Sequence, residues 1–272
     1  MQDASYELAG AKCQRGRQIS ADGFLSRPVQ IGRAVLNHFY PPTCLNCAAP
    51  IVVPDALCAM CWRKLRPISA PLCPRLGLPF EVFLGPDGLS AEAIANPPEF
   101  DRARSALIHN DVARSLILRL KFGDRPELAK FCARLMLAAG AELLQEQSIL
   151  VPTPLHRTRQ FSRRFNQSLE LARQMHRQGG FMVDPLLVRR QRPTRPQIGL
   201  SARQRAKNVA GAFALDPEGI ERCWGHPLVI IDDVMTTGST VSAITRTLRQ
   251  KGFERIDVIS FSRVVIGGAD PI

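Results

Sequence analysis

Leu228-Val-Ile-Ile-Asp232-Asp233-Val-Met-Thr236-Thr237-Gly238-Ser239-Thr240 is the stretch whose reading decides the fold. Its four leading apolar, mostly β-branched residues suit a buried strand and are too few for a helix. Two adjacent carboxylates follow, then a turn with one Gly and four hydroxyl side chains. From Val241 the period becomes helical: Val241, Ile244 and Leu248 share a face, and Gly252 supplies a stop. A strand that hands over to a helix through such a turn leaves orphan N–H donors and the positive end of the helix dipole pointing outward, which suits phosphate. Thr236, Thr237, Ser239 and Thr240 add hydroxyl donors. Asp232 and Asp233 can accept from sugar hydroxyls or hold a hydrated Mg²⁺. A site that asks for a phosphate and a diol together fits a ribose 5-phosphate. An ordinary strand-to-helix turn, or an acidic phospho-acceptor site, would explain the acids but not the number and order of the hydroxyls. Neither G-x-x-x-x-G-K-[ST] nor G-x-G-x-x-G occurs in the chain.

The charge distribution supports an anionic ligand. The net charge is +12 over 272 residues. Residues 150–215 hold thirteen Arg and Lys against two acids, Glu170 and Asp184, so nearly the whole excess lies there. The basic residues are not interleaved with acids as on a solvated helical face, which points to diphosphate or nucleic acid. The 45% hydrophobic content is that of an ordinary globular chain. No apolar run approaches the roughly 18 residues of a membrane span, so no membrane insertion is expected. No apolar h-region opens the sequence, and a cytoplasmic location follows as the expectation.

Residues 1–30 mix Gln, Arg, Ser, Gly and Asp without periodicity and are read as a disordered tail. Residues 31–39 suit a short amphipathic helix stopped by Pro41-Pro42, and no internal repeat stands out. Cys44-x₂-Cys47 and Cys58-x₂-Cys61 follow as two knuckles that can converge on one tetrahedral Zn²⁺. In a small Pro-rich module with little core, such a metal supplies much of the folding energy. Disulfides suit a cytosolic chain poorly, and a redox C-x-x-C needs a βαβ setting absent here. Cys13, Cys73, Cys132 and Cys223 are scattered, and Cys132 lies among apolar residues as core packing. Residues 31–100 are thus read as a zinc-binding module with its linker, and 101–272 as a separate α/β domain.

In that domain, 103–109 reads as a strand and Asn110 or Asp111 caps a helix carrying Val112, Leu116, Ile117 and Leu120. A long helix over 126–147 precedes a strand at 148–151. Pro152-Thr153-Pro154-Leu155-His156 forms a rigid strand-to-helix turn, followed by Arg157, Arg159, Arg163 and Arg164 as a cationic loop. Asn166 opens a helix with Leu169, Ala172 and Met175 on one side. Residues 189–208 form a second basic stretch, broken by Pro193, Pro196 and Gly199, that runs into a short helix. Alternating strands and helices predict a doubly wound parallel sheet with ligands beyond the carboxyl ends of its strands.

The thirteen-residue signature resembles the phosphoribosyl diphosphate (PRPP) motif of type I phosphoribosyltransferases. The ordered set of motifs is similar to the ComF family, competence proteins with an N-terminal zinc module and a C-terminal phosphoribosyltransferase-like domain. The set comprises the four paired cysteines, Leu120-Lys121-Phe122, Val151-Pro-Thr-Pro-Leu155, Arg164-Phe165-Asn166-Gln167, Thr194-x₂-Gln197, Arg205-x₂-Asn208-Val209 and the signature. The resemblance implies a diphosphate loop at Pro152, Thr153, Pro154 and Leu155. It also implies a flexible basic hood of Arg189, Arg190, Arg192, Arg195, Gln197 and Arg205. Two departures stand out: Arg164 occupies a position where the family often has Gly, and only Cys73 remains where many members carry further Cys pairs, so one zinc is expected. The implied role is uptake of single-stranded DNA in natural transformation beside a competence helicase. An active phosphoribosyltransferase of nucleotide metabolism and a non-enzymatic PRPP sensor that binds a partner or RNA are the alternatives. In a catalytic site, diphosphate would be displaced at the anomeric carbon, with Mg²⁺ and cationic loops offsetting its charge and Asp232 and Asp233 orienting the ribose.

Overall fold

The computed structural model describes residues 41–85, 87–122, 126–155, 166–192 and 202–265, with the main chain alone at 122, 126, 202, 203, 205 and 206. The tail read at 1–30, the helix read at 31–39, the cationic loop at 157–164, and Arg195 and Gln197 lie outside these residues. Pro42–Ile272 cluster as one compact unit. Its elements in chain order are α1 (Ala59–Arg63), α2 (Ala91–Ala95), β1 (Ala103–Ile108), α3 (Asp111–Phe122), α4 (Pro126–Ala139), β2 (Ile149–Pro152) and α5 (Gln167–Gly179). There follow β3 (Met182–Val183), β4 (Val188–Arg190), α6 (Ala202–Val209), β5 (Phe213–Leu215), α7 (Pro217–Cys223), β6 (Leu228–Met235), α8 (Ser239–Arg249) and β7 (Ile256–Arg263).

Five strands pair in the order β1-β7-β6-β2-β3, each pair parallel. Along β6 successive side chains serve opposite faces. Val229 and Ile231 join one core with α3, α4 and α5, whereas Leu228 and Ile230 join the other with α6, α7 and α8. Burial on both faces is why β6 reads as an unbroken apolar run rather than an alternating one. The sheet is therefore doubly wound, as the order of elements predicts. β6 runs further than its four apolar residues suggest, because pairing with β7 continues through the acids to Met235 opposite Arg263. The helix over 126–147 is corrected to Pro126–Ala139: Gly140 lies against Ile259 of β7, leaving no space for a Cβ, and residues 141–147 turn back toward β2. At the start of the basic stretch read at 189–208, β4 pairs antiparallel with β5, and α6 lies at its end.

The N-terminal region contains two copies of one backbone motif. In the first, Cys44 N–H donates to the Ala49 carbonyl at 2.8 Å, Ala48 N–H to the Cys44 carbonyl at 3.0 Å, and Thr43 bridges Pro50. In the second, Cys73 N–H donates to Leu78 at 2.8 Å, Gly77 N–H to Cys73 at 2.8 Å, and Leu72 bridges Pro79. Each copy then closes with a short helix, α1 or α2. The residue before that helix, Cys58 or Ser90, donates its N–H to the sulfur of Cys44 or Cys73. The sequence reading found no repeat because the second copy keeps a single cysteine. The signal that marks it is Pro-x-Cys-x₅-Pro, at 42–50 and again at 71–79.

Both copies pack on the sheet. Leu45, Leu57 and Leu65 share a core with Leu107, Leu116 and Phe131, and Trp62 meets Phe131 edge-on with centroids 6.1 Å apart. The connecting residues 66–68 run antiparallel to β1, with Ile68 N–H on Ala106 and Ile108 N–H on Arg66, so the outer edge of β1 is covered.

Candidate functional site

The Sγ atoms of Cys44, Cys47, Cys58 and Cys61 lie within 4.8 Å of one another, and those of Cys47 and Cys58 are 3.6 Å apart. A tetrahedral zinc with Zn–S near 2.3 Å places its sulfurs about 3.8 Å apart, so the four fit that ion. Backbone N–H groups of Asn46 and Cys58 donate to Cys44, and the Asn46 side chain donates to Cys61. Burial opposes ionisation of Cys44, yet backbone N–H donors bring its pKa down to about 6; burial pushes Cys61 up to about 12. Four adjacent sulfurs cannot all ionise without a cation among them. The equivalent positions of the second copy are Cys73, Leu76, Ser90 and Ala93. Leu76 and Ala93 offer no ligand atom, and Cys73 instead accepts from the Ser90 hydroxyl at 3.4 Å and from the Leu76 and Ser90 N–H groups. These donors outweigh the upward push of burial and lower the Cys73 pKa.

The second constellation sits where β2 and β6 adjoin. The chain leaves β2 toward β3 on one side, while β6 and β7 extend the sheet on the other, which makes this the topological switch point. Pro152 lies opposite Ile231, and both the N–H and the hydroxyl of Thr153 donate to the Ile231 carbonyl. Asn166 caps α5 by accepting from Ser168 and Leu169 N–H, and its amide donates to the Thr153 carbonyl at 3.0 Å. Thr153 and the acidic pair, 79 residues apart, thus stand side by side.

Asp232 Oδ1 accepts from Asp233 N–H at 3.0 Å and from the Ser168 hydroxyl at 3.4 Å. Burial first and the Asp233 carboxylate second raise its pKa to about 8. Asp233 is paired with Lys121 Nζ at 2.9 Å, each side chain 19% exposed. His109, bonded to the Ser262 hydroxyl at 2.9 Å, has its pKa lowered by burial and by Lys121. Two adjacent carboxylates with one lysine beside them among the described residues form a place where a cation could rest.

Beyond the acids, Gly238 adopts φ +70° and places Ser239 at the start of α8. Ser90, Asn166 and Asp216 cap their helices through side chains, whereas Gly238 has none to offer. The Thr237 and Ser239 hydroxyls are 2.7 Å apart, both at the turn. Gly238, Ser239, Thr236 and Thr237 line a cavity of about 550 Å³ whose opposite wall is the second ribbon.

Of the hood residues, Arg189, Arg190 and Arg192 have described side chains, and each meets a neighbour. Arg189 pairs with Asp216 at 2.7 Å, Arg190 lies over the Phe213 ring at 5.4 Å, and Arg192 donates to the Ala210 carbonyl at 2.8 Å. Sequence reasoning missed Ser168, His109 and Arg263 as neighbours of the site. It quoted Lys121 in a motif without assigning it a partner, and no spacing reveals a contact across 112 residues.

With this geometry in place, comparison with known proteins is specific. Residues 35–94 match the double zinc ribbon domain, which accounts for both N-terminal copies and supports a structural Zn²⁺ on the first. The chain is 33% identical over 231 residues to the DNA utilization protein YhgH of Escherichia coli (strain K12), covering 83% of this chain and 98% of that protein. It is 27% identical to competence protein F of Haemophilus influenzae, with coverages of 83% and 99%. It is 25% identical to competence protein ComFC of Bacillus subtilis (strain 168), with coverages of 77% and 84%. Among the described residues no helix is long and apolar enough to cross a membrane.

Proposed function

The chain belongs to the ComF family of competence and DNA utilization proteins, and on that premise we propose that it handles single-stranded DNA during uptake through a site that binds PRPP or a 5′-phosphorylated ribose. One observation carries the ribose-phosphate reading: the switch point sets the Thr153 loop and the Asp232–Asp233 pair side by side, with the uncapped turn at Gly238 directly after them. In this reading Thr236, Thr237, Ser239 and Thr240 take the 5′-phosphate, and Asp232 and Asp233 take the ribose hydroxyls. Pro152, Thr153, Pro154 and Leu155 border the diphosphate. Mg²⁺ would rest on the Asp232–Asp233 side, where Lys121 pairs with Asp233 and no ion pair to Asp232 occurs among the described residues. Bound there, the ion neutralises diphosphate charge. A helicase of the competence machinery is the expected protein partner.

The test is calorimetry of PRPP with Mg²⁺, repeated with 5′-phosphorylated single-stranded DNA as competitor. Asp233→Asn removes a charge-assisted contact and should weaken PRPP by about 1.5–3 kcal/mol, with the melting transition retained. Full affinity in both Asp232→Asn and Asp233→Asn would sink the ribose-phosphate reading.

A further inference from the structure

The cavity beyond the phosphate turn is floored by an arginine that no other feature explains. Arg263 ends β7 with its side chain 1% exposed. Its Nη1 donates to the Leu76 carbonyl at 2.8 Å and stands 3.5 Å from Met235 Sδ. Its Nη2 is 3.6 Å from the carboxylate of Glu92, a residue 51% exposed on α2. Its Nε has no acceptor among the described residues. A guanidinium does not shed its proton in a protein, so burying one costs free energy unless its donors and charge are matched. Here the charge meets one carboxylate at a distance beyond a hydrogen bond, and the Nε donor is unspent. Arg263 lines the same cavity as Thr236, Thr237, Gly238 and Ser239, at the uncapped end of the eleven-residue helix α8. An unmatched buried cation and an uncapped helix N-terminus, brought to one cavity by separate elements, ask for the same thing.

Resting on the ribose-phosphate reading of the turn, we propose that Arg263 is a binding residue for the phosphate monoester seated there, and that Glu92 of the second ribbon engages its guanidinium when the ligand is absent. A monoester dianion brings two charges and three acceptor oxygens, against a single half-exposed carboxylate too far away for a good hydrogen bond. Exchange of Glu92 for phosphate is therefore favoured, and the second ribbon competes weakly at the site. At the outer rim, Arg246 pairs with Glu99 at 2.7 Å, also beside the cavity and also from the region following α2. The second ribbon thus acts as an anion-bearing wall, a role that requires no metal.

The experiment uses full-length, zinc-loaded protein and two probes, inorganic phosphate and PRPP with Mg²⁺. Glu92→Gln should tighten both probes about three- to fivefold, as expected for loss of a competing half-exposed ion pair. Arg263→Met should weaken both by about tenfold or more. Asp233→Asn should weaken PRPP alone. Should Arg263→Met fail to fold, Glu92→Gln decides by itself, since its side chain is half exposed and keeps its size. If the wild type binds PRPP and Glu92→Gln does not tighten it, the assignment of Arg263 falls while the ribose-phosphate reading stands. If inorganic phosphate binds and responds to Glu92→Gln but PRPP does not bind, the ribose reading falls and the Arg263 anion site stands.

Discussion

The two ribbons follow the same backbone path and are held together by different physics. Residues 42–63 enclose four converging sulfurs, and the first ribbon offers the sheet a set of leucines. Residues 71–95 place Leu76 and Ala93 where two of those sulfurs would be, and both are buried in the core with Phe100 and Ala103. Their backbone is also tied to the sheet directly: Ala103 N–H donates to Arg75, Arg104 to Pro74, and Arg263 to Leu76. A knuckle needs a metal when its interior is polar and its outer contacts are few. Once its interior is apolar and its carbonyls are bonded to a host, the metal is dispensable. The freed copy then has surface to spend elsewhere, and here it walls the phosphate cavity.

Zinc removal separates the two ribbons most strongly. Structural zinc in isolated fingers supplies about 10–16 kcal/mol of apparent binding free energy, which is folding free energy. Chelation, or Cys58→Ser, should make residues 42–63 protease-sensitive. Because Leu45, Leu57 and Leu65 share the core of α3 and α4, the damage should spread beyond the ribbon and lower Tm by about 10 °C or more. Cys73→Ala should leave the zinc content unchanged and cost about 1–2 kcal/mol. Metal analysis beside thermal melts checks both. A melt insensitive to chelation, or zinc lost from Cys73→Ala, would erase the distinction.

Gly77 tests the second ribbon's dependence on its host. It combines φ +64° with a position against β1 where any Cβ would lie inside contact distance of the Ala103 carbonyl oxygen. Gly77→Ala therefore adds left-handed strain and a backbone clash, costing about 2–4 kcal/mol. Denaturant melts measure it; a loss below about 1 kcal/mol would mean that the ribbon is not pressed onto β1 as described.

The sheet, its order of helices and the acidic turn were legible because each rests on local pattern: apolar runs, hydroxyl-rich turn, Asn166 as a cap. The four-cysteine cluster was legible because its chemistry fixes its spacing. The second ribbon was not, since replacing three ligands with Leu76, Ser90 and Ala93 removes the residues that announce the motif while preserving its backbone. Lys121 beside Asp233 and Arg263 beneath the turn were also hidden. Lys121 reaches Asp233 from α3 across 112 residues, and Arg263 meets Leu76 and Glu92 of the second ribbon across 187 and 171, contacts that only the tertiary packing sets. The helix at 126–139 was over-extended because Leu143 and Leu144 continue its apolar period past Gly140, where the chain turns against Ile259 instead.

The smallest effect compares the ribbons at one backbone position. Ala48 and Gly77 each donate their N–H to the first cysteine of their knuckle, at φ +62° and φ +64°. In the second ribbon glycine is required twice, by the dihedral and by Ala103. In the first only the dihedral asks for it, because Ala48 is exposed and metal binding holds the turn in place. A left-handed alanine costs about 1–2 kcal/mol relative to glycine. Part of that gain is returned, since glycine raises the entropy of the unfolded chain by about 0.4–1 kcal/mol. Ala48→Gly should therefore stabilise the zinc-loaded protein by about 0.5–1 kcal/mol, opposite in sign to Gly77→Ala at the matching site. Zinc stoichiometry should not change, because no ligand moves. Denaturant melts of the two variants, run side by side with zinc in excess, measure both signs. If Ala48→Gly destabilised the protein, the turn would be held by contacts of the Ala48 methyl rather than by the metal, and the first ribbon would resemble the second more closely than its four sulfurs imply.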